Sequence, residues 1–299
     1  MVNTRILEQR LGWRAAGDGE EPLPPARPIA HAPMLQGRIE PSRHTAHVPG
    51  VAARGHRRAS VDDAWERLPE VRADLATLKP RGHAPSFARG SAAGVAMDQL
   101  RTQLMRVIDE KGWHRIGVTS PARGAGRSFV AAGLAASIAR LETARVLLID
   151  TDFEEPGLAT LLGIAAPGPI EAVLSGTRHP EEQLLRVGST LALALNAAPV
   201  AQAPERMLTP DAILALRAMI DLLAPDVVIL DMPPVLDDPL APALLPQLDA
   251  VLLVTDGLRN TAQDVLEAER VLEGQVPILG LVLNKSEDRD PRCAARQRR

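Results

Sequence analysis

Residues 115–152 read RIGVTSPARGAGRSFVAAGLAASIARLETARVLLIDTD, and this stretch decides the fold. A short apolar run, Ile116 to Thr119, is followed by a glycine turn, Gly124-Ala125-Gly126. An alanine-rich segment from Ser128 to about Leu141 has helical character, and Val146 to Ile149 form a second unbroken aliphatic run. Continuous aliphatic runs are the pattern of parallel strands buried on both faces. A strand that feeds a glycine turn into a helix N-terminus makes an anion site, because the first N–H groups of the helix lack internal partners and point into the loop. The expected ligand is a nucleotide phosphate.

Outward from this stretch, aliphatic runs and helical segments keep alternating. Leu191 to Leu195, Val227 to Leu230, Val251 to Val254 and Ile278 to Leu283 read as strands, and 210–223, 240–247 and 261–273 read as helices. Before the first strand, Met97, Leu100, Leu104, Val107 and Ile108 lie on one face of a helix that ends near Gly112. Repeated βα units predict a three-layer, Rossmann-like fold, a parallel sheet with helices on both faces, here over residues 95–286. Polar residues gather at the carboxyl ends of the strands: Asp150 and Asp152, Asp231, Asp256 and Asn284. Ligands of open α/β sheets bind at that edge.

Composition agrees with this architecture. Of the 299 residues, 45% are apolar but only 2% are aromatic, and tyrosine is absent, so the core is aliphatic. A formal net charge of −3 gives no global argument for nucleic-acid or membrane binding, and no nucleic-acid partner is expected. The single cysteine, Cys293, excludes a disulfide framework and points to a reducing cytoplasm. The opening MVNTRILEQRLGWR has no long apolar region, and no stretch reaches the roughly 20 apolar residues needed to cross a bilayer, so membrane contact is expected only through a partner.

Residues 1–94 differ in character. Clustered prolines, five of the seven histidines and a basic patch at Arg54, Arg57 and Arg58 predict a largely disordered extension. Two short helices are expected within it, one around Ile6 to Trp13 and one with Trp65, Leu68, Val71, Leu75 and Leu78 on a face, each packing weakly or serving as a docking peptide. Residues 287–299 form a basic tail.

The loop reads S-P-A-R-G-A-G-R-S. In a phosphate-binding P-loop, backbone N–H groups wrap the phosphates, a lysine reaches the β and γ oxygens, and a Ser or Thr hydroxyl holds Mg²⁺. Ser128 suits the last role, and Arg127 stands at the lysine position. Arginine keeps the charge but is a planar fork rather than a compact point. A lone Asp closing a strand is ordinarily a cap or turn residue. Asp150, Asp152 and Asp231 at one edge beside a glycine loop instead suit Mg²⁺ and catalysis, because a hard octahedral ion takes oxygen ligands next to phosphates.

Four segments carry a resemblance: MDQLRTQL (97–104), LLIDTDFEEPGL (147–158), DVVILDMPPVLDDPLA (226–241) and GLVLNK (280–285). With the loop, they resemble the bacterial tyrosine kinases of capsule and exopolysaccharide biosynthesis, a group of deviant-Walker P-loop ATPases, over about residues 95–286. The resemblance implies that Gly124, Ala125, Gly126, Arg127, Ser128 and Phe129 cradle ATP and that Asn284 lies near the adenine. It implies catalytic roles for Arg127, Asp150, Asp152 and Asp231, with Ser128, Asp152 and Asp231 on Mg²⁺. It further implies a membrane polysaccharide co-polymerase as partner and a homo-oligomer contacting through helix 96–108. Members of the family phosphorylate a C-terminal tyrosine cluster, whereas this tail is SEDRDPRCAARQRR and no residue of the chain can be a phosphotyrosine. Two alternatives stay open: a catalytically silent nucleotide-binding regulator of the same system, and a positioning ATPase of the partition or cell-division type.

Overall fold

The computed structural model describes residues 61–73, 87–88, 90–200, 202–207 and 209–285. Among the described residues seven strands form one sheet: β1 (Arg115–Thr119), β2 (Val146–Asp150), β3 (Leu184–Val187), β4 (Leu191–Ala194), β5 (Val227–Asp231), β6 (Ala250–Asp256) and β7 (Ile278–Asn284). Their order is β3-β4-β2-β5-β1-β6-β7. All pairings are parallel except β3 with β4. β1, β2 and β5 are buried along almost their whole length, as their unbroken aliphatic composition requires.

The loop helix, Arg127–Ala139, follows β1, and the chain then returns as β2 on the far side of β5. It is buried nearly all round, which its alanines permit by letting its backbone approach both the sheet and the neighbouring helix Ala92–Lys111. At Gly133 an added Cβ would lie 2.4 Å from the Phe87 ring. Helix Ala92–Lys111 starts at Ser91, whose hydroxyl accepts the Gly94 N–H, and stops at Gly112 in the left-handed conformation. Its Asp98 accepts hydrogen bonds from Arg101, Ser137 and Arg140, which tie it to the loop helix.

Helix Pro210–Leu223 is capped by Thr209, and helix Ala262–Leu272 by a Thr261/Asp264 capping box. The expected helix 240–247 is a short α-helix, Leu240–Leu244, that tightens into a 3₁₀ turn at Leu245–Gln247. The edge strand β3 and the short helices Leu158–Leu162, Glu171–Leu174, Pro180–Gln183 and Ala203–Met207 had no periodic signal, because each is five residues or fewer.

One expectation is corrected here. Residues 61–73 are not a weakly packing appendage. Residues 61–67 are helical, and Trp65 and Leu68 are each 2% exposed within the core on one side of the sheet. Trp65 Nε1 donates to the Leu223 carbonyl at 2.8 Å, and Arg145 lies over its ring. Beyond it the chain pairs alongside β3, with Val71 N–H to Arg186 O at 2.8 Å and Arg186 N–H to Pro69 O at 2.9 Å. A seven-residue helix is marginal alone, and the tertiary surface offered by the sheet supplies the missing stabilisation. Leu75 and Leu78, the Ile6 to Trp13 segment, the Arg54 patch and the basic tail lie outside the described residues. Among the described residues no helix is long and apolar enough to cross a membrane.

Candidate functional site

β1, β2 and β5 end side by side, and the glycine loop lies over their carboxyl ends. Gly124 and Gly126 have φ of 84° and 94°, a left-handed backbone that glycine adopts freely. Gly126 has a second reason to lack a side chain, since a Cβ there would sit 2.2 Å from Asn284 Nδ2. Asn284 donates to the Ala125 carbonyl at 2.9 Å, and Lys285 donates to the Gly124 carbonyl while pairing with Asp256 at 3.0 Å. The end of β7 therefore braces the loop from outside. Asn284 is not among the residues lining the adjacent cleft.

That cleft has a volume of about 550 Å³. The loop side carries Arg123, Gly124, Gly126, Arg127, Ser128 and Phe129, and Asp152 and the 155–161 segment face them. Phe129 stacks on Phe87 with ring centroids 4.3 Å apart, which fixes the first turn of the loop helix against the core.

Asp150 and Asp231 are register partners on neighbouring strands, both fully buried. Asp150 Oδ2 accepts the Leu158 N–H at 3.4 Å, while its Oδ1 and both carboxylate oxygens of Asp231 have no hydrogen-bond partner. Burial pushes both carboxyls up, that of Asp231 to about 7 against the opposing pull of Ser128 and Arg127. Asp150 is raised well above the carboxylate range by burial first and by the charge of Asp231 second. Unpartnered buried carboxylate oxygens are costly, and a cation beside Ser128 would satisfy them. Oxygen donors of this kind fit Mg²⁺, which keeps waters and takes few protein ligands when phosphates share its shell. Among the described residues no group of three or more His, Cys, Asp or Glu side chains is set to hold an ion unaided.

Asp152 sits differently. Its carboxylate is bound by Arg127 at 2.8 Å and by Arg123 at 3.1 Å. Arg127 also donates to Ser120 Oγ at 2.9 Å. Of the residues expected from sequence, Gly124, Gly126, Arg127, Ser128, Phe129 and Asp152 line the cleft, whereas Ala125, Asp150 and Asp231 are buried and do not line it. The structure adds Arg123, Glu154, Glu155 and Asp238, which the linear pattern did not single out. Arg123 pairs with Glu154 at 2.9 Å and with Glu155 and Asp238 at 3.4 Å. The signal available was its place inside the loop, but spacing alone cannot tell which acids from the two turns after β2 and β5 converge on it.

Comparison with known proteins adds four findings. A family profile described as ParA, NUBPL iron-transfer P-loop NTPase, matches residues 113–298. EpsB of Ralstonia solanacearum, a candidate tyrosine-protein kinase by name, is 31% identical over 195 residues, covering 63% of this chain and 25% of EpsB. The succinoglycan biosynthesis transport protein ExoP of Rhizobium meliloti is 28% identical over 276 residues, covering 87% of this chain and 32% of ExoP. The chain therefore spans between a quarter and a third of the length of these relatives. Among solved structures, the kinase domain of Escherichia coli tyrosine kinase ETK superposes with a TM-score of 0.61 at 22% identity, covering 75% of this chain and 91% of that one. That likeness concerns the fold.

Proposed function

This chain belongs to the ParA-type P-loop NTPases, in the bacterial tyrosine kinase and exopolysaccharide-biosynthesis group, and we propose that it binds ATP with Mg²⁺ in the loop cleft. In this reading it acts on the cytoplasmic side in the assembly or export of an extracellular polysaccharide, beside a membrane co-polymerase. The observation that carries the reading is a pair of buried carboxyl groups, Asp150 and Asp231, at the foot of a glycine loop, three of whose four oxygens have no hydrogen-bond partner. A structural role alone gives no reason to bury acidic groups there with polar atoms left unsatisfied.

Each residue has a task that follows from its position. The backbone N–H groups from Gly124 to Ser128, at the N-terminus of the loop helix, face the phosphates and Arg127 supplies positive charge to them. Ser128, Asp152 and Asp231 would hold Mg²⁺, whose chemistry at this site is to neutralise the phosphate oxygens. Asp150, or Asp152 once it is relieved of its arginines, orients the acceptor hydroxyl or water. Phe129, with its ring packed on Phe87, holds the helix start in place. Any tyrosine acceptor belongs to another polypeptide or to a segment beyond these residues, since the sequence has no tyrosine.

A second reading, a nucleotide-binding regulator without turnover, is favoured by Arg127 at the position where lysine is usual and by its engagement with Asp152. ATP binding and hydrolysis with Mg²⁺ by the wild-type protein, Arg127→Lys and Arg127→Ala separate the two. Turnover by wild type, with Arg127→Ala weaker in binding by about tenfold or more as expected for a lost charged hydrogen bond, supports the enzyme. Binding without turnover, with turnover appearing in Arg127→Lys, supports the regulator. Absence of ATP binding by wild type rejects both.

A further inference from the structure

Two guanidinium groups of the loop converge on one carboxylate. Arg127 Nη2 reaches Asp152 Oδ2 at 2.8 Å, and Arg123 Nη1 reaches the same oxygen at 3.1 Å. The side chains of Asp152 and Arg127 are 4% and 8% exposed, so neither charge can be left uncompensated. Arg123 is closed in from the other side by Glu154, Glu155 and Asp238. Arg123, Arg127, Asp152 and Glu155 all line the cleft assigned above to the nucleotide.

Resting on that assignment, we propose that Arg123 is a second phosphate-binding residue and that Asp152 stands in for a phosphate in the nucleotide-free chain, holding both arginines. Nucleotide entry is then an exchange of partners in which no covalent bond changes. The phosphates take Arg123 and Arg127, and Asp152, freed from both, faces the divalent cation. Asp152, Arg123 and Arg127 each have an opposite charge as partner before and after the exchange. Without a cation Asp152 would be stranded, so cation and nucleotide bind with positive coupling.

Arg127 is suited to this role in a way lysine is not. One arm of its fork, Nη1, holds Ser120 Oγ at 2.9 Å while the other, Nη2, holds Asp152. The guanidinium can stay anchored on the loop while its second arm changes partner. Its Nε has no partner, which leaves a further donor for an incoming anion.

The test is calorimetric titration with ADP, in EDTA and in Mg²⁺, which needs no turnover. Wild type is expected to bind ADP about tenfold more tightly with Mg²⁺ than without, in line with the strength of a charged hydrogen bond. Asp152→Asn, with its arginines free, is expected to bind ADP in EDTA about tenfold more tightly than wild type, with the Mg²⁺ enhancement largely gone. Adding Arg123→Gln to that variant should remove most of the gain, which distinguishes a phosphate contact at Arg123 from simple loss of a negative charge. If wild type binds MgADP but Asp152→Asn binds no more tightly in EDTA, the exchange is wrong and the nucleotide assignment stands. If wild type binds no ADP in either condition, both fall. Should Asp152→Asn lack a cooperative thermal transition, Arg123→Gln alone decides. MgADP affinity lower by about tenfold supports the proposal, and an unchanged or higher affinity overturns it.

Discussion

Asp231 is buried without a hydrogen-bond partner for either oxygen, and its carboxyl is raised from 3.8 to about 7. The sign of the consequence follows from proton binding. Between those two values the folded chain binds more protons than the unfolded one, so the favourable contribution is present at low pH and disappears as pH rises through about 7. Asp150, raised by burial and by Asp231, acts in the same direction. The full penalty at pH 8 is on the order of 4 kcal/mol. Asp231→Asn is therefore expected to raise the melting temperature of the nucleotide-free protein at pH 8 by several degrees. It should also flatten the fall in stability between pH 5 and 8, while Mg²⁺-dependent nucleotide binding is lost. A melting temperature at pH 8 that drops in Asp231→Asn would reject this account of the site. The sequence placed Asp231 and Asp150 at strand ends, but their burial side by side follows from β2 and β5 being neighbours.

The loop and β7 form one mechanical unit at the scale of elements. The end of β7 supplies Asn284 to the Ala125 carbonyl and Lys285 to the Gly124 carbonyl, and β7 is positioned by six-residue pairing on β6. Gly126 lies between them with φ of 94° and no room for a Cβ. Gly126→Ala must both adopt a left-handed backbone and displace Asn284, at an expected cost of about 1–3 kcal/mol. The expected outcome is nucleotide affinity reduced by more than tenfold, with stability reduced by no more than that cost. Calorimetry and thermal melting check the two separately. Glycine in the loop was legible from sequence as a phosphate turn. The sequence places Asn284 at the end of β7, and the structure puts its amide on the loop backbone, a contact between residues 159 positions apart that no local pattern encodes.

Across the whole molecule the site occupies the carboxyl ends of the central strands, and residues 61–73 fasten the opposite side. Trp65 binds the Leu223 carbonyl just ahead of β5, and Arg145, which precedes β2, pairs with Asp62 at 2.7 Å. Trp65→Ala removes a buried indole and leaves that carbonyl without its donor, so a loss of about 3–5 kcal/mol is expected. Nucleotide affinity should change little, because β5 itself stays paired on both sides. A thermal melt and an ADP titration on the same sample check both halves, and an unchanged melting temperature would reject the fastening role. The amino-acid sequence by itself determined the fold class, the order of βα units and the placing of the glycine loop and the strand-end carboxylates. These depend on short-range periodicity and on residues that follow directly on the strands it marks out. Tertiary structure alone decided that residues 61–73 join the core, that β3 runs antiparallel at the edge, and that Arg123 and Arg127 share Asp152. Those features rest on contacts between distant segments, whose energies exist only once the sheet has brought the segments together.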